Sequence, residues 1–410
     1  MAYTRREFGK LTLAGLPAAA VFGRGESILG AFTRPSHHSG AAGQAQARPN
    51  SLVDGVQIGT ISYSFRAMPD QSAEATLKYI LDSGISAIEL MGGPAERFAG
   101  APAPGRGGGA GRAGGGRGPG GAAAGRGLGG TPAPLEPGAG QKIGEWHGQQ
   151  CIVAAEGAAA AGAGAPRRGG ATADMTPEQI AAQTAQREAA ATLKAWRTSV
   201  SMDPFKKLRK MYNDAGVTIY AWKQLNPNMS DEEFEYVFNV AEALGCTHTT
   251  LELPTDEAQL KRIGDFAMKK KVYAAYHTHA QGGMNVFDRA FAVSKGNMAN
   301  VDFGHWTAAG NVGGMPMEFL NKFHDRIASF HLKDRTTPDH CALNLPWGTG
   351  ETPITEILQL VKKNKWRMPA SVEMEYAVPE GSDPVQEVRK CVEYCRAALN
   401  APSGTPSRRR

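Results

Sequence analysis

From residue 56 onward the chain switches repeatedly between a strand-like and a helix-like rhythm of apolar positions. Residues 56–65 (VQIGTISYSF) are a short apolar run rich in β-branched and aromatic side chains, and they predict a first strand. Residues 72–83 carry apolar positions at helical spacing and stop at Gly84. Residues 85–91 (ISAIELM) predict a second strand. After a long interruption, Thr176 is placed to cap a helix that opens at Pro177. The helical pattern runs to about Asn213, with a break and a new start expected at Asp203-Pro204. Gly216 opens a third strand over 217–225, and Asp231–Leu244 reads as a helix with Gly245 just past its end. A fourth strand is expected over 247–253 and a helix over 256–270. Strands five to eight fall at 272–277, 298–303, Ile327–Leu332 and 370–375, before a last helix over 384–399. Eight strands with helices between them predict the α/β class and a closed (β/α)8 TIM barrel. An open doubly wound sheet is the rival architecture. No Gly-rich phosphate loop follows the first strand, which counts against it.

Composition explains the interruption. The chain of 410 residues has 51 glycines, and they concentrate between Gly92 and Gly170. A stretch dominated by Gly, Ala, Pro and Arg buries too little apolar surface to offset its ordering entropy. Residues 92–173 are therefore expected to be a disordered insertion after the second strand, with local order only around 143–152. The N-terminus reads as an address. Arg5-Arg6, Phe8 and Lys10 precede an apolar run over 11–22 and resemble a twin-arginine export signal. That run is short of the roughly 20 residues a bilayer span needs. The domain reading is thus an export signal and linker over 1–50, a catalytic barrel over 51–400, and a flexible basic tail over 401–410. The implied location is the periplasm, or a membrane anchor facing it, with membrane contact only through the signal.

The net charge of +6 does not imply a nucleic-acid groove. Residues 93–175 hold eight Lys or Arg against five Asp or Glu, and Arg408, Arg409 and Arg410 add three more positive charges. The remainder is neutral. The five cysteines, Cys151, Cys246, Cys341, Cys391 and Cys395, are too few and scattered to suggest a disulfide framework. Cys391 and Cys395 share a helix face and are read as buried apolar residues.

Acid and imidazole side chains recur where strands end. Glu89 lies near the end of the second strand, Glu252 the fourth, and His277 and His279 the fifth. Asp302 and His305 end the sixth, His331, Lys333 and Asp334 the seventh, and Glu373 and Glu375 lie on the eighth. In a barrel these ends converge on one mouth. Carboxylates and imidazoles without thiolate suit one divalent ion, Mn2+, Mg2+, Co2+ or Zn2+. Glu373 and Glu375 share a strand face, so either could be the ligand, and the spacing from Trp366 favours Glu373. Trp222 could wall a sugar site or simply pack. Lys333-Asp334 could be a solvated loop pair, and Glu89 a salt-bridge residue at the mouth.

Three motifs carry a family resemblance. Asp302 and His305, three apart and followed by Gly310, resemble the D-x-x-H segment of the xylose-isomerase-like sugar isomerase/epimerase superfamily. Phe330-His331-Leu332-Lys333-Asp334 resembles its seventh-strand H-x-K-D. The run from Trp366 to Glu373 is similar to the approach to its eighth-strand glutamate. The resemblance covers about 56–399 without the insert. It implies Asp302, His331 and Glu373 as metal ligands. His277 stands where the family has a fifth-strand Glu, and is expected to be the fourth ligand. Glu252, one strand earlier, is a candidate for the missing carboxylate.

The resulting expectation is a sugar isomerase or epimerase in which Glu252 or Glu373 removes a proton beside a carbonyl and an enediolate forms. His279, His305 and Lys333 are expected to bind substrate. A lyase or dehydratase of keto-sugars or 3-keto-glycosides on the same site is the alternative, and a non-catalytic sugar-binding barrel is another. A repair endonuclease would need histidines where the second and third strands offer Glu89, Trp222 and Lys223. The partner expected is a small sugar or keto-sugar and no nucleic acid, with a homo-oligomer compatible.

Overall fold

The computed structural model of the protein describes residues 48–103, 136–138, 140–154, 176–279 and 281–402. The twin-arginine segment, most of the Gly-rich stretch and nearly all of the basic tail lie outside these residues. Eight parallel strands form the barrel: β1 Val56–Ile61, β2 Ala87–Met91, β3 Thr218–Lys223, β4 His248–Glu252, β5 Tyr273–His277, β6 Asn297–Asp302, β7 Ile327–Leu332 and β8 Ala370–Val372. Each pairs with its neighbours in chain order. The circle closes through β8 with β1 and β1 with β2. This is the expected TIM barrel, and closure leaves no exposed sheet edge on these strands. A short strand, Leu52–Val53, adds antiparallel to the start of β1.

The helices form where the sequence places caps. Thr176 accepts from the Gln179 amide, and Gln179 reaches back to the Thr176 amide, so Pro177–Ser199 opens on a reciprocal cap. The break at 203 is present, and Asp203–Asp214 is a separate helix. The strand side chains alternate between the barrel interior and a shell of helices, so both faces are buried. Trp222 packs against Phe205 and Tyr236 with no exposed surface, which removes it from any sugar-binding wall.

The expected insert begins too early. Gly92–Phe98 is a helix of the barrel shell with Pro94 and Ala95 buried. Its Glu96 binds Arg197 at 2.8 Å and the Tyr236 hydroxyl at 3.0 Å. These partners are distant in sequence, so a composition window could not detect the helix. The local order expected around 143–152 is an antiparallel hairpin, Gln141–Trp146 with Gln149–Ala154. Its two turn residues, His147 and Gly148, both have positive φ, as a tight two-residue hairpin requires.

That hairpin docks on the loop after β7. Cys151 and Cys341 form a disulfide, where the few, scattered cysteines had suggested no disulfide framework, and Lys142 meets Asp339 at 2.8 Å. Gly144 lies so close that an added Cβ would stand 2.6 Å from the Asp339 carbonyl oxygen, so only glycine fits. Cys391 and Cys395 are free and buried, as expected of apolar residues. The insertion leaves the barrel after β2 and its hairpin fastens to the loop after β7, so both lie on the mouth side. Reductant should lower the melting temperature by several degrees. The cross-link spans 190 residues, and chain entropy assigns on the order of 5 kcal/mol to such a closure. Thermal melts with and without dithiothreitol check this, and superimposable curves would contradict it.

Candidate active site

Strand register decides which side chains meet. On β7, His331 pairs with Asp302 of β6 on one side and Ser371 of β8 on the other, placing Glu373 one inward position beyond. His277 ends β5 beside Asn300 of β6. One ligand atom from each of His277, Asp302, His331 and Glu373 lies within 4.8 Å of the other three, and all four residues are buried. These are the four positions the sequence reading put forward as metal ligands.

Each is held by identifiable partners. Asp302 divides its carboxylate: Oδ1 accepts from the His305 amide at 2.7 Å and starts the helix Phe303–Ala308, while Oδ2 faces Lys333 Nζ at 3.0 Å. It is a helix cap and a site residue at once. His331 sits between two carboxylates, with Nε2 2.7 Å from Glu89 and Nδ1 2.7 Å from Glu373. Burial alone would lower its pKa, but Glu89 and Glu373 outweigh this and raise it to about 10. Burial opposes ionisation of Glu373, yet Lys333 and His331 hold its carboxyl well below the usual range. His277 is kept neutral chiefly by burial, and its Nδ1 has no hydrogen-bond partner.

Lys333 is buried with its ammonium 3.0 Å from Asp302, 2.9 Å from Glu373 and 2.7 Å from Glu375. It is thus committed to three carboxylates. Of the two eighth-strand acids, Glu373 joins the four-residue cluster and Glu375 pairs with Lys333. Asp334 is not a solvated loop residue. It is buried and accepts from the amides of Gly348, Gly350 and Thr352.

A second set of groups lies beside the first, at the ends of the third and fourth strands and just past the fifth, sixth and seventh. Glu252 receives Lys223 Nζ at 3.0 Å and His279 Nδ1 at 2.8 Å. Burial would raise its pKa, but Lys223 and His279 bring it down to about 2. His305 Nδ1 stands 2.7 Å from Arg335 Nη1. A guanidinium only donates, so Nδ1 carries the lone pair and a neutral ring keeps its proton on Nε2. His277, His279 and His305 also approach one another within 4.8 Å. That tautomer makes His305 a donor, so this trio is a poor cation cradle.

The four-residue cluster fits a divalent ion better. Two imidazoles and two carboxylates without thiolate are the donors hard and borderline ions take. The unpartnered His277 Nδ1 is a buried polar atom without a mate. Residues 197–397 match the family model described as xylose isomerase-like TIM barrel. That segment contains every residue of the cluster and Lys223, Glu252, His279, His305, Lys333 and Arg335 as well. A comparison with curated proteins gives no match. Among solved structures, a sugar phosphate isomerase/epimerase from Parabacteroides distasonis is 14% identical, over 87% of this chain and 100% of that one, with a TM-score of 0.46. A xylose isomerase domain protein from Alicyclobacillus acidocaldarius is 12% identical over 84% and 100%, at 0.47. The IOLI protein with a bound zinc atom is 11% identical over 84% and 98%, at 0.45.

Sequence reasoning placed Glu89 at the mouth only as a salt-bridge residue, and it missed Arg335 altogether. Glu89 is fully buried and receives His331, the Thr250 hydroxyl at 2.6 Å and Asn300 at 3.3 Å. An acid inside the apolar run AIELM was the available signal. Arg335 had none, because its role depends on the fold of the loop after β7. Replacing Lys333 by Met should lower unfolding free energy by about 3–5 kcal/mol, since it strands buried carboxylates. Urea denaturation in the presence of a chelator measures this, and an unchanged midpoint would contradict the ion-pair geometry.

Proposed function

We propose that the barrel mouth holds one divalent cation on His277, Asp302, His331 and Glu373, and that the protein is a sugar isomerase or epimerase. The observation that carries this reading is the convergence of four buried donors, drawn from β5, β6 and β7 and the end of β8, on one space. The match to a xylose isomerase-like barrel supports it. A bound divalent ion would supply Lewis-acid polarisation of a substrate carbonyl, which acidifies the adjacent C–H. The protein's own groups do the rest. His305, fixed by Arg335 with its Nε2–H available, is set to donate to a substrate oxygen as negative charge develops there. Lys223, Glu252 and His279 line the neighbouring wall with polar groups suited to hydroxyls. Proton removal beside the carbonyl gives an enediolate, and returning the proton at a second position or on the other face completes the change.

The substrate class follows from a second proposal, that the chain is exported through its twin-arginine segment. The Cys151–Cys341 disulfide supports this, because such bonds persist in oxidising compartments. A free sugar or keto-sugar fits that setting better than a sugar phosphate. Protein loaded with Mn2+ should exchange a substrate C–H for deuterium in D2O, followed by proton NMR. EDTA should abolish the exchange. Asp302→Asn and Glu373→Gln should each reduce it by about 10²-fold or more, the scale on which lost charge stabilisation acts. Exchange insensitive to chelator, or none with any keto-sugar, would refute the reading.

A further inference from the structure

We propose that the hairpin over 141–154 is a working part of the mouth, and that through the Cys151–Cys341 bond it positions Arg335 against His305. The inference rests on the isomerase reading above, in which His305 faces the substrate, and it gives the hairpin a task in that reaction. The line of contacts is short. Arg335 spreads its guanidinium between two neighbours, with Nη1 2.7 Å from His305 Nδ1 and Nη2 2.5 Å from the Ala342 carbonyl oxygen. Its Nε has no hydrogen-bond partner among the described residues, so these two contacts set the plane of the fork. Without the carbonyl, the group would pivot about the one that remains.

Ala342 presents that carbonyl because the backbone doubles back just before it. Cys341 and Ala342 have φ of 70° and 48° in succession, the left-handed region that residues with a Cβ avoid. Two adjacent non-glycine residues stay there only where their surroundings over-determine them. From within the loop, Thr336 Oγ1 donates to the His340 carbonyl oxygen at 2.5 Å and accepts from the Leu343 amide at 2.7 Å. From outside, the hairpin grips the same corner at consecutive residues. Lys142 meets Asp339 at 2.8 Å, the Trp146 ring lies 4.9 Å from that of His340, and Cys151 is bonded to Cys341. Water can replace a hydrogen bond or an ion pair, but it cannot replace the covalent bond.

The cross-link therefore does more than restrain the unfolded chain. Once it opens, Cys341 and Ala342 can relax toward right-handed backbone, and the Ala342 carbonyl swings off Nη2. Arg335 is then free to turn, and the His305 ring loses the group that fixes it. In this scheme Arg335 is a positioning residue, and the disulfide acts through it.

Two measurements on the full chain test this, both at a temperature where circular dichroism shows the barrel folded. Dithiothreitol supplies the two electrons and two protons that turn the disulfide into two thiols, and Cys151→Ser gives the open state without reagent. Nitrogen-15 NMR of arginine-labelled protein, with Arg335 assigned by its loss in Arg335→Met, should resolve separate Nη–H signals while the bond is closed and one averaged signal once it is open. An averaged signal in the oxidised protein, or separate signals after opening, overturns the proposal whatever the activity. In the deuterium-exchange assay, opening the bond should lower kcat by about 10- to 10²-fold with KM within about 3-fold. Arg335→Met should lose a similar factor, and in that variant opening the bond should change kcat no further, because effects that run through one residue do not add. Losses that multiply would mean the disulfide acts independently of Arg335, and the positioning role would be wrong. Absence of exchange in the wild-type protein removes the isomerase reading, and the NMR signals alone then decide whether the hairpin holds Arg335.

Discussion

A barrel interior is a poor place for charge, and this one contains four acids, Glu89, Asp302, Glu373 and Glu375, within reach of two cations on a single strand. His331 and Lys333 stand two residues apart on and just past β7, so both project to the same side. His331 satisfies Glu89 and Glu373, and Lys333 satisfies Asp302, Glu373 and Glu375. An ionised side chain taken out of water is strongly unfavourable unless paired and hydrogen-bonded. The neighbouring strands must therefore keep their register with β7, and the donors of β5, β6 and β8 are positioned as a consequence. Electrostatic self-consistency and site geometry are one requirement here.

The barrel was legible because both signals that define it are local. Apolar runs bounded by glycine marked the strands, and Thr176, Gly216 and Gly245 marked ends that the structure shares. The four clustered donors were legible because strand ends converge in any closed barrel, so position along a strand is already a statement about space. What could not be read depends on contacts between distant segments. The helix at Gly92–Phe98 hides in a Gly-rich run and is secured by Arg197 and Tyr236. The Cys151–Cys341 pair needs the hairpin to return to the loop after β7. Arg335 acquires meaning only when that loop places it beside His305. Glu252 was recognised as important, but its ion pairs with Lys223 and His279 are visible only in three dimensions.

The two halves of the mouth divide labour by polarity. One half is a dense cluster of buried, fully compensated charge. The other is a half-open wall where the His305 ring is fixed by the Arg335 guanidinium at its Nδ1 and His279 lies beside the Glu252 carboxylate. A tautomer set in advance, as at His305, costs little reorganisation when an acceptor approaches its other nitrogen. A group that could only donate there would leave that N–H unsatisfied.

The forked contact of Asp302 links these halves mechanically. One oxygen lies among the charged groups and the other holds the first turn of the helix that carries His305. A carboxylate is rigid, so any tug on the first oxygen tilts the second and drags the amide bonded to it. The arrival of a cation or a ligand oxygen beside Asp302 is thereby felt at the imidazole one helical turn away, with the carboxylate acting as a rocker between them.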